Sequence, residues 1–372
     1  MSSEVFFTDI KDIGRGDNLL LRLDNLINKS NICKVVKSKD LTAIKLHFGE
    51  PGNTTFVSPV FVRKVVDKIK EAQGNPYLTD TNTLYFGKRD NSVNHLNSAI
   101  KNGFAYAVVD APIIIADGIR GKNTQSITIN KKHFKEVLIA GDINNSDSMI
   151  VLSHFKGHEL AGFGGAIKNL AMGCASAAGK QKQHSTMKPE VGSFCIKCGK
   201  CIKWCPEGAI QLHEKKAKIS KKVCVGCGEC IAMCPVNAIK PQWKTNYKEF
   251  HERMVEYAYG AVKEKMQDQK VAFINFVINV TPHCDCKSWS NRAIVPDVGI
   301  LASFDPVALD KASFDLVNDE RGINETMLSC NHEQGEDKFF AIENRQIDSN
   351  HQLNYADEVG LGSQDYELIR VK

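Results

Sequence analysis

Residues 195–210 read CIKCGKCIKWCPEGAI, and residues 224–239 read CVGCGECIAMCPVNAI. Each run is C-x2-C-x2-C-x3-C followed by proline: Cys195, Cys198, Cys201 and Cys205 before Pro206, then Cys224, Cys227, Cys230 and Cys234 before Pro235. In this spacing three close thiolates wrap one face of a 4Fe-4S cluster, while the fourth, turned away at the proline, reaches the other cluster. The expected ligand sets are therefore crossed. Cys195, Cys198, Cys201 and Cys234 hold cluster 1; Cys224, Cys227, Cys230 and Cys205 hold cluster 2. Paired C-x2-C motifs also serve zinc sites and disulfide frameworks, but zinc takes four ligands, and eight evenly repeated cysteines with two Cys-Pro endings fit two clusters better.

The repeat extends beyond the cysteines, and Ala217-Lys218-Ile219 reads as a strand leading into its second half. Over about residues 190–241 the chain resembles the bacterial two-cluster ferredoxins. A module of about fifty residues leaves some three hundred of the 372 unexplained, enough to bury a substantial core. Ile196, Ile202, Trp204, Ile210, Val225, Ile231, Met233 and Ile239 are expected to form an apolar coat over the clusters.

On both sides of this module, helical and strand patterns alternate. Leu19 to Ile27, Pro59 to Gln73, Ser92 to Lys101, Phe250 to Gln267 and Pro306 to Val317 carry apolar residues at helical spacing. Leu41 to Phe48, Asn75 to Thr79, Ile113 to Ala116, Ser148 to Ser153 and Val271 to Val280 read as strands. The expected fold is α/β: a mixed or parallel sheet domain interrupted by a small α+β two-cluster ferredoxin-like insert. The boundaries fall at 1–187 for the first part of the α/β domain, 188–242 for the insert and 243–372 for the second part. From about Gly335 the pattern weakens and the chain turns acidic, as in a surface-wrapping or mobile segment.

The formal net charge is +5, which drops to near zero once eight thiolates and two cluster cores are counted. Local balance is more informative. Residues 180–222 hold eleven Lys against three Glu, whereas 297–372 hold sixteen Asp and Glu against six Lys and Arg. The lysines lack the aromatic interleaving of a nucleic-acid reader, so no nucleic acid is expected. They either neutralise the anionic clusters or form a landing surface for a redox partner, an acidic ferredoxin or flavodoxin. No run approaches the eighteen apolar residues of a membrane span, and Met1 to Asp12 has no basic, then apolar, export pattern. The expectation is a cytoplasmic protein, not bound to membrane, in a reducing and anaerobic interior.

Outside the clusters, the densest region is Ser153 to Lys180. Gly162, Gly164 and Gly165 lead into a helix beginning near Ala166, whose free N–H groups could face an anion or cofactor. His154 and His158, four apart after a strand, with Lys168 ten residues further on, place a metal-type pair near a cation. Cys284 and Cys286 follow a late strand in Thr281-Pro282-His283-Cys284-Asp285-Cys286, with Asp297, Asp305 and Asp310 downstream. Lys168, His158, His154, Cys284 and Cys286 are the candidate catalytic residues, and Gly162, Gly164 and Gly165 the candidate cofactor-binding ones. The competing reading is packing thiols and capping aspartates, above all Asp305 before Pro306. A weaker group comprises Lys45, His47, Glu50, Asp80, Asn82, Tyr85 and Asp117, each of which alone reads as a turn former.

The runs GFGGAIKNLAMGCASAAGK, NVTPHCDC, PDVGILASFDPVALDKAS and TDTNTLY resemble the uncharacterised Fe-S centre proteins of domain of unknown function 362 over nearly the whole chain. That resemblance implies iron-sulfur binding and a redox setting without supplying a substrate. A fainter resemblance reaches the nickel-pincer lactate racemases, whose H-x3-G-x2-G...K pattern is similar to His158, Gly162, Gly165 and Lys168. There the lysine anchors a modified nicotinic-acid mononucleotide and the histidine ligates nickel. This chain departs from that pattern with Gly165-Ala166 in place of a second Gly, with the ferredoxin-like module and with the CDC segment. The expected function is an iron-sulfur oxidoreductase passing electrons through two 4Fe-4S clusters to a site in the α/β domain. The alternatives are an electron-transfer protein without its own active site and a nickel-pincer-like isomerase or metal-cofactor protein. A small-molecule substrate and a further metal or small organic cofactor in the α/β domain fit the first and last of these.

Overall fold

The computed structural model describes residues 2–11, 13–84, 87–184, 188–205, 207–224, 230, 233–236, 238–240, 247–343 and 347–372. Cys227, Tyr85, Pro206, Val225 and Ile231 lie outside the described residues. The large sheet contains eight strands: β1 (Ser3–Asp9), β2 (Leu41–Lys45), β3 (Asn75–Asp80), β4 (Ile113–Ile115), β5 (Ser148–His154), β6 (Val271–Val277), β7 (Gly299–Ser303) and β8 (Tyr366–Arg370). Their order is β8-β1-β7-β6-β5-β2-β3-β4. β6, β5, β2, β3 and β4 pair in parallel, as do β1 and β8. Only β7 runs against its neighbours, pairing antiparallel with β1 and β6. Strands from before and after residues 188–242 interleave in this one mostly parallel sheet.

The central strands explain themselves. VAFINFV and SMIVLSH are buried at every position, as a strand covered by helices on both faces must be. Their side chains alternate between two cores. Met149, Val151, Phe273 and Leu301 pack under α3 (Ala166–Cys174), α4 (Tyr247–Gln267) and α5 (Pro306–Asn318). Ile150, Leu152, Ile274 and Ile300 pack under α1 (Leu19–Ser30) and α2 (Pro59–Glu71). In α2, Pro59 starts the helix and Val62, Val65, Val66 and Ile69 form its buried stripe, as the spacing implies.

Three expectations need correction. The strand expected over 41–48 ends at Lys45, and that over 271–280 at Val277. Leu46, Phe48 and Val280 stay buried beyond the sheet, so the apolar run outlasts the pairing. The segment after Gly335 is not a loose tail. It forms a helix over Asn350–Glu358 and then β8, which completes one sheet edge against β1.

Residues 191–239 gather a separate apolar cluster of Val191, Cys201, Ile210, Ala217, Cys230, Cys234, Ala238 and Ile239. Two short antiparallel pairs frame it, Glu190–Val191 with Ile239–Lys240 and Ile210–Leu212 with Ala217–Ile219. Ile210 and Ile239 are buried as expected, whereas Ile196 is 59% exposed. Trp204 faces the main body, where the Lys122 ammonium lies 3.9 Å from its ring centre. Among the described residues no helix is long and apolar enough to cross a membrane.

Candidate functional site

The chain leaves β2 toward β3 on one side and later returns as β5 on the other, so the sheet order reverses between β2 and β5. Open α/β sheets place ligands beyond the carboxyl ends of strands at such a point. Here the strand ends carry Lys45, Asp80 and His154, all buried. Asn169 of α3 spans the gap. Its amide donates to the Leu152 carbonyl at 2.9 Å and to Ser153 Oγ at 3.0 Å, while its oxygen accepts from Lys45 Nζ at 2.7 Å.

The residues that looked weak one by one converge on this edge. Lys45 Nζ is 3.1 Å from Asp80, and Arg89 pairs with Glu50 at 2.8 Å and lies 3.7 Å from Asp80. Burial alone would raise the Asp80 carboxyl, but Lys45, His95, Arg89 and Lys180 outweigh it and hold it below the usual range. Arg89 also contacts His47 Nε2 at 2.8 Å. Burial, then Arg89, Lys156, Lys168 and Lys45, push the His47 imidazole well below its usual range, so it is neutral at pH 7. Asn82 and Asp117 form the far side, with Asn82 donating to the Asp117 carboxylate through backbone and side chain at 3.0 and 2.8 Å. Burial lifts the Asp117 carboxyl to about 6. Lys180 donates to Thr81 Oγ1 and to the Asn82 carbonyl, and burial lowers its ammonium to about 8.

The second constellation also forms. The segment after β6 folds back over α3, so that Lys168 Nζ donates to Cys284 Sγ at 3.5 Å. A hydrogen bond from Cys286 lowers the Cys284 thiol well below its usual range. Burial opposes this, and Lys168 and Lys156 reinforce it. The same bond pushes Cys286 well above its usual range. Burial works against the Lys168 ammonium, but Cys284, Cys286 and Glu159 raise it, so it stays charged. Cys284 is 3% exposed and Cys286 half-buried.

The histidines take other roles. His154 Nδ1 lies 3.0 Å from the Asp285 carboxylate, and its Nε2 lies 2.9 and 3.0 Å from the carbonyls of Ile278 and Asn279. Both ring nitrogens face acceptors within the protein, so His154 latches the Cys284 segment to β5 instead of offering a lone pair to a metal. Lys156, which the spacing did not single out, completes the latch, 3.5 Å from Asp285 and donating to the His154 carbonyl at 2.8 Å. His158 Nδ1 accepts from the backbone N–H of Leu160 and Ala161 at 3.2 and 3.0 Å, and so caps a turn.

The glycine loop is packed against protein. Gly162 has φ +77, and a Cβ there would lie 2.0 Å from Ser349 Oγ; one on Gly165 would lie 2.3 Å from Asp310 Oδ1. Gly164 faces the Lys168 side chain, 2.9 Å from where its Cβ would be. The N–H groups of Ala166 and Ile167, at the positive end of α3, donate to the Asp310 carboxylate at 2.7 and 2.9 Å. An internal carboxylate thus occupies the place the sequence left for an anion. Asp305 caps α5 through Val307 and Ala308 N–H, with Pro306 at the first helical position, as the sequence implies.

In the cysteine-rich segment, Cys195, Cys198, Cys201 and Cys234 line one hollow of about 320 Å3, counting its open mouth, together with Ile196, Gly199 and Ile239. The two halves repeat a bond: Ala209 N–H donates to Cys205 Sγ at 3.2 Å, and Ala238 N–H to Cys234 Sγ at 3.1 Å. Among the described residues no group of three His, Cys, Asp or Glu is arranged to hold a single metal ion. Of the second set, Cys224, Cys230 and Cys205 are described.

The structure of the lactate racemase apoprotein from Thermoanaerobacterium thermosaccharolyticum aligns with 74% of this chain and 51% of its own, at 13% identity and a TM-score of 0.38. The chain therefore spans about half the length of that protein. No curated protein matches the sequence. The model of the domain of unknown function DUF362 matches residues 42–315, which include β2 through β7, the cysteine-rich segment and both polar constellations, and the chain belongs to that family.

Proposed function

We propose that this protein is an iron-sulfur oxidoreductase in which residues 188–242 hold two 4Fe-4S clusters and pass electrons to the site around Lys168 and Cys284. The observation that carries the reading is the hollow lined by Cys195, Cys198, Cys201 and Cys234, the crossed set that the doubled motif calls for. Bound clusters would supply one-electron storage at low potential. The chain's own part is to hold them with cysteine thiolates, to direct the Ala209 and Ala238 N–H groups at two of those sulfurs, and to hold the Cys284 sulfur beside the Lys168 ammonium, which favours its thiolate. The exposed side chains of Lys197, Lys200, Lys203, Lys218, Lys221 and Lys222 support docking of an acidic carrier on this segment. His184 stacks on Phe250, and burial, then Lys168, push its imidazole to about 4.

Protein purified without oxygen is expected to contain roughly eight irons per chain and to show broad absorption near ~400 nm. Cys195→Ala should remove about half of the iron. Cys205→Ala should disturb the cluster held by Cys224 and Cys230 and leave the other's spectrum intact. One or two zinc ions per chain and no iron, or a Cys205→Ala protein that loses only the cluster held by Cys195, would overturn the assignment.

A further inference from the structure

The geometry points to Cys284 and Cys286 as a redox-active dithiol that opens small organic disulfides and closes on itself as an intramolecular disulfide. Both are unbridged thiols, two residues apart on one turn, with their sulfurs hydrogen-bonded to each other and the Lys168 ammonium 3.5 Å from Cys284. A thiolate paired with a thiol donor and a fixed cation is the arrangement that thiol–disulfide exchange requires. The turn is held on both sides: His154 and Lys156 grip Asp285 between the two cysteines, and the Asp285 carbonyl accepts from Glu50 N–H at 3.0 Å. Cys284 is 3% exposed and Cys286 half-buried, which excludes a disulfide on the surface of a folded protein.

The Cys284 thiolate attacks one sulfur of the disulfide, and the first organic thiolate leaves. Cys286 then loses its proton to the second organic sulfur, displaces it from Cys284 and closes the Cys284–Cys286 bond. The products are one thiol, one thiolate and the enzyme disulfide. Two electrons and one proton reopen that bond, with the proton on Cys286 and the charge on Cys284 beside Lys168. The supply of those electrons from a ferredoxin-type one-electron carrier rests on the function proposed above; exchange with the disulfide does not.

The test uses anaerobic full-length protein incubated with 2-hydroxyethyl disulfide, acid-quenched, unfolded, alkylated with iodoacetamide and mapped by peptide mass. The expected peptide containing Cys284 and Cys286 carries no alkyl group and is two hydrogens lighter. In Cys286→Ser, Cys284 should stop at the mixed disulfide with mercaptoethanol. Lys168→Met should slow closure at pH 7 about tenfold or more, because less thiolate is present. Two alkyl groups on the wild-type peptide after treatment, or a fully alkylated Cys284 in Cys286→Ser, would overturn the inference. Iron measured on the same sample separates the two proposals: closure in iron-free protein keeps the dithiol and removes the clusters, whereas an iron-loaded protein whose pair never closes does the reverse.

Discussion

Lys45→Met is expected to lower the stability of the folded protein by about 3–5 kcal/mol, the usual cost of stripping one partner from a buried ion pair. The Lys45 side chain is wholly buried, and its ammonium donates to Asn169 and the Leu46 carbonyl besides pairing with Asp80. Without it, Asp80 keeps Arg89 at 3.7 Å and the field of Lys180, while His95, also 3.7 Å away, is neutral because burial pushes its imidazole to about 3. Urea unfolding should show a lower midpoint at unchanged slope, and the melting temperature should fall by roughly 5–10 °C. Adding Asp80→Asn should recover part of the loss, because the stranded charge disappears. The sign with pH follows. Asp80 is held below the usual carboxylate range, so its contribution is present above ~4 and is lost as pH falls below that. The gap between wild type and Lys45→Met should therefore narrow in acid. A loss under about 1 kcal/mol at pH 7 would show that the pair does not anchor this edge.

Asp310→Ala should cost a similar ~3–5 kcal/mol, from three orphaned donors at ~1–3 kcal/mol each, partly relieved by relaxation. Asp310 is fully buried and accepts from Ala166 N, Ile167 N and Asn275 Nδ2, the last at 2.8 Å. It thereby ties the start of α3 to β6 and α5. Burial raises its carboxyl to about 6, against the opposing hydrogen bonds from Asn275 and the two N–H groups. A raised folded value means a contribution fully present below ~4 and lost as pH rises through about 6. The difference between wild type and Asp310→Ala, read from urea midpoints, is thus expected to be wider at pH 5 than at pH 8. Equal differences at both would mean that Asp310 does not titrate in that range.

How far the sequence could be read depended on how local each signal was. The cysteine runs, the Asp305-Pro306 start of α5 and the stripe of α2 are contained within about sixteen residues, and spacing alone exposes them. Lys168 and Cys284 were placed together by the rule that sites gather at strand ends, and they are in contact. Direction was not legible. The letters give His154 a ring with two nitrogens, but not that Asp285, 131 residues on, and two carbonyls take both. The glycine loop did precede a helix end seeking negative charge, but the charge comes from Asp310, 144 residues beyond Ala166. Arg89 and Asn169 gave no periodic signal at all, although each bridges groups more than ten residues away. β7 is not legible because GILAS is short, and β8 because YELIR, with Leu368 and Ile369 adjacent, breaks strict alternation along a half-exposed edge.

The position of β1 in the sheet has a consequence for biosynthesis. Its two neighbours, β7 and β8, begin at Gly299 and Tyr366, so β1 has neither of its sheet partners until some 290 residues later. At ~5–20 residues per second of translation, that interval lasts roughly 15–60 s. The cysteine-rich segment, with its own apolar cluster, emerges within it and before β6, β7 and β8 exist. It can therefore condense while the large sheet is still open. Meanwhile the nascent chain carries Val5 and Phe7 without the late partners that cover them, and chaperone shelter on the ribosome would serve β1 over that interval.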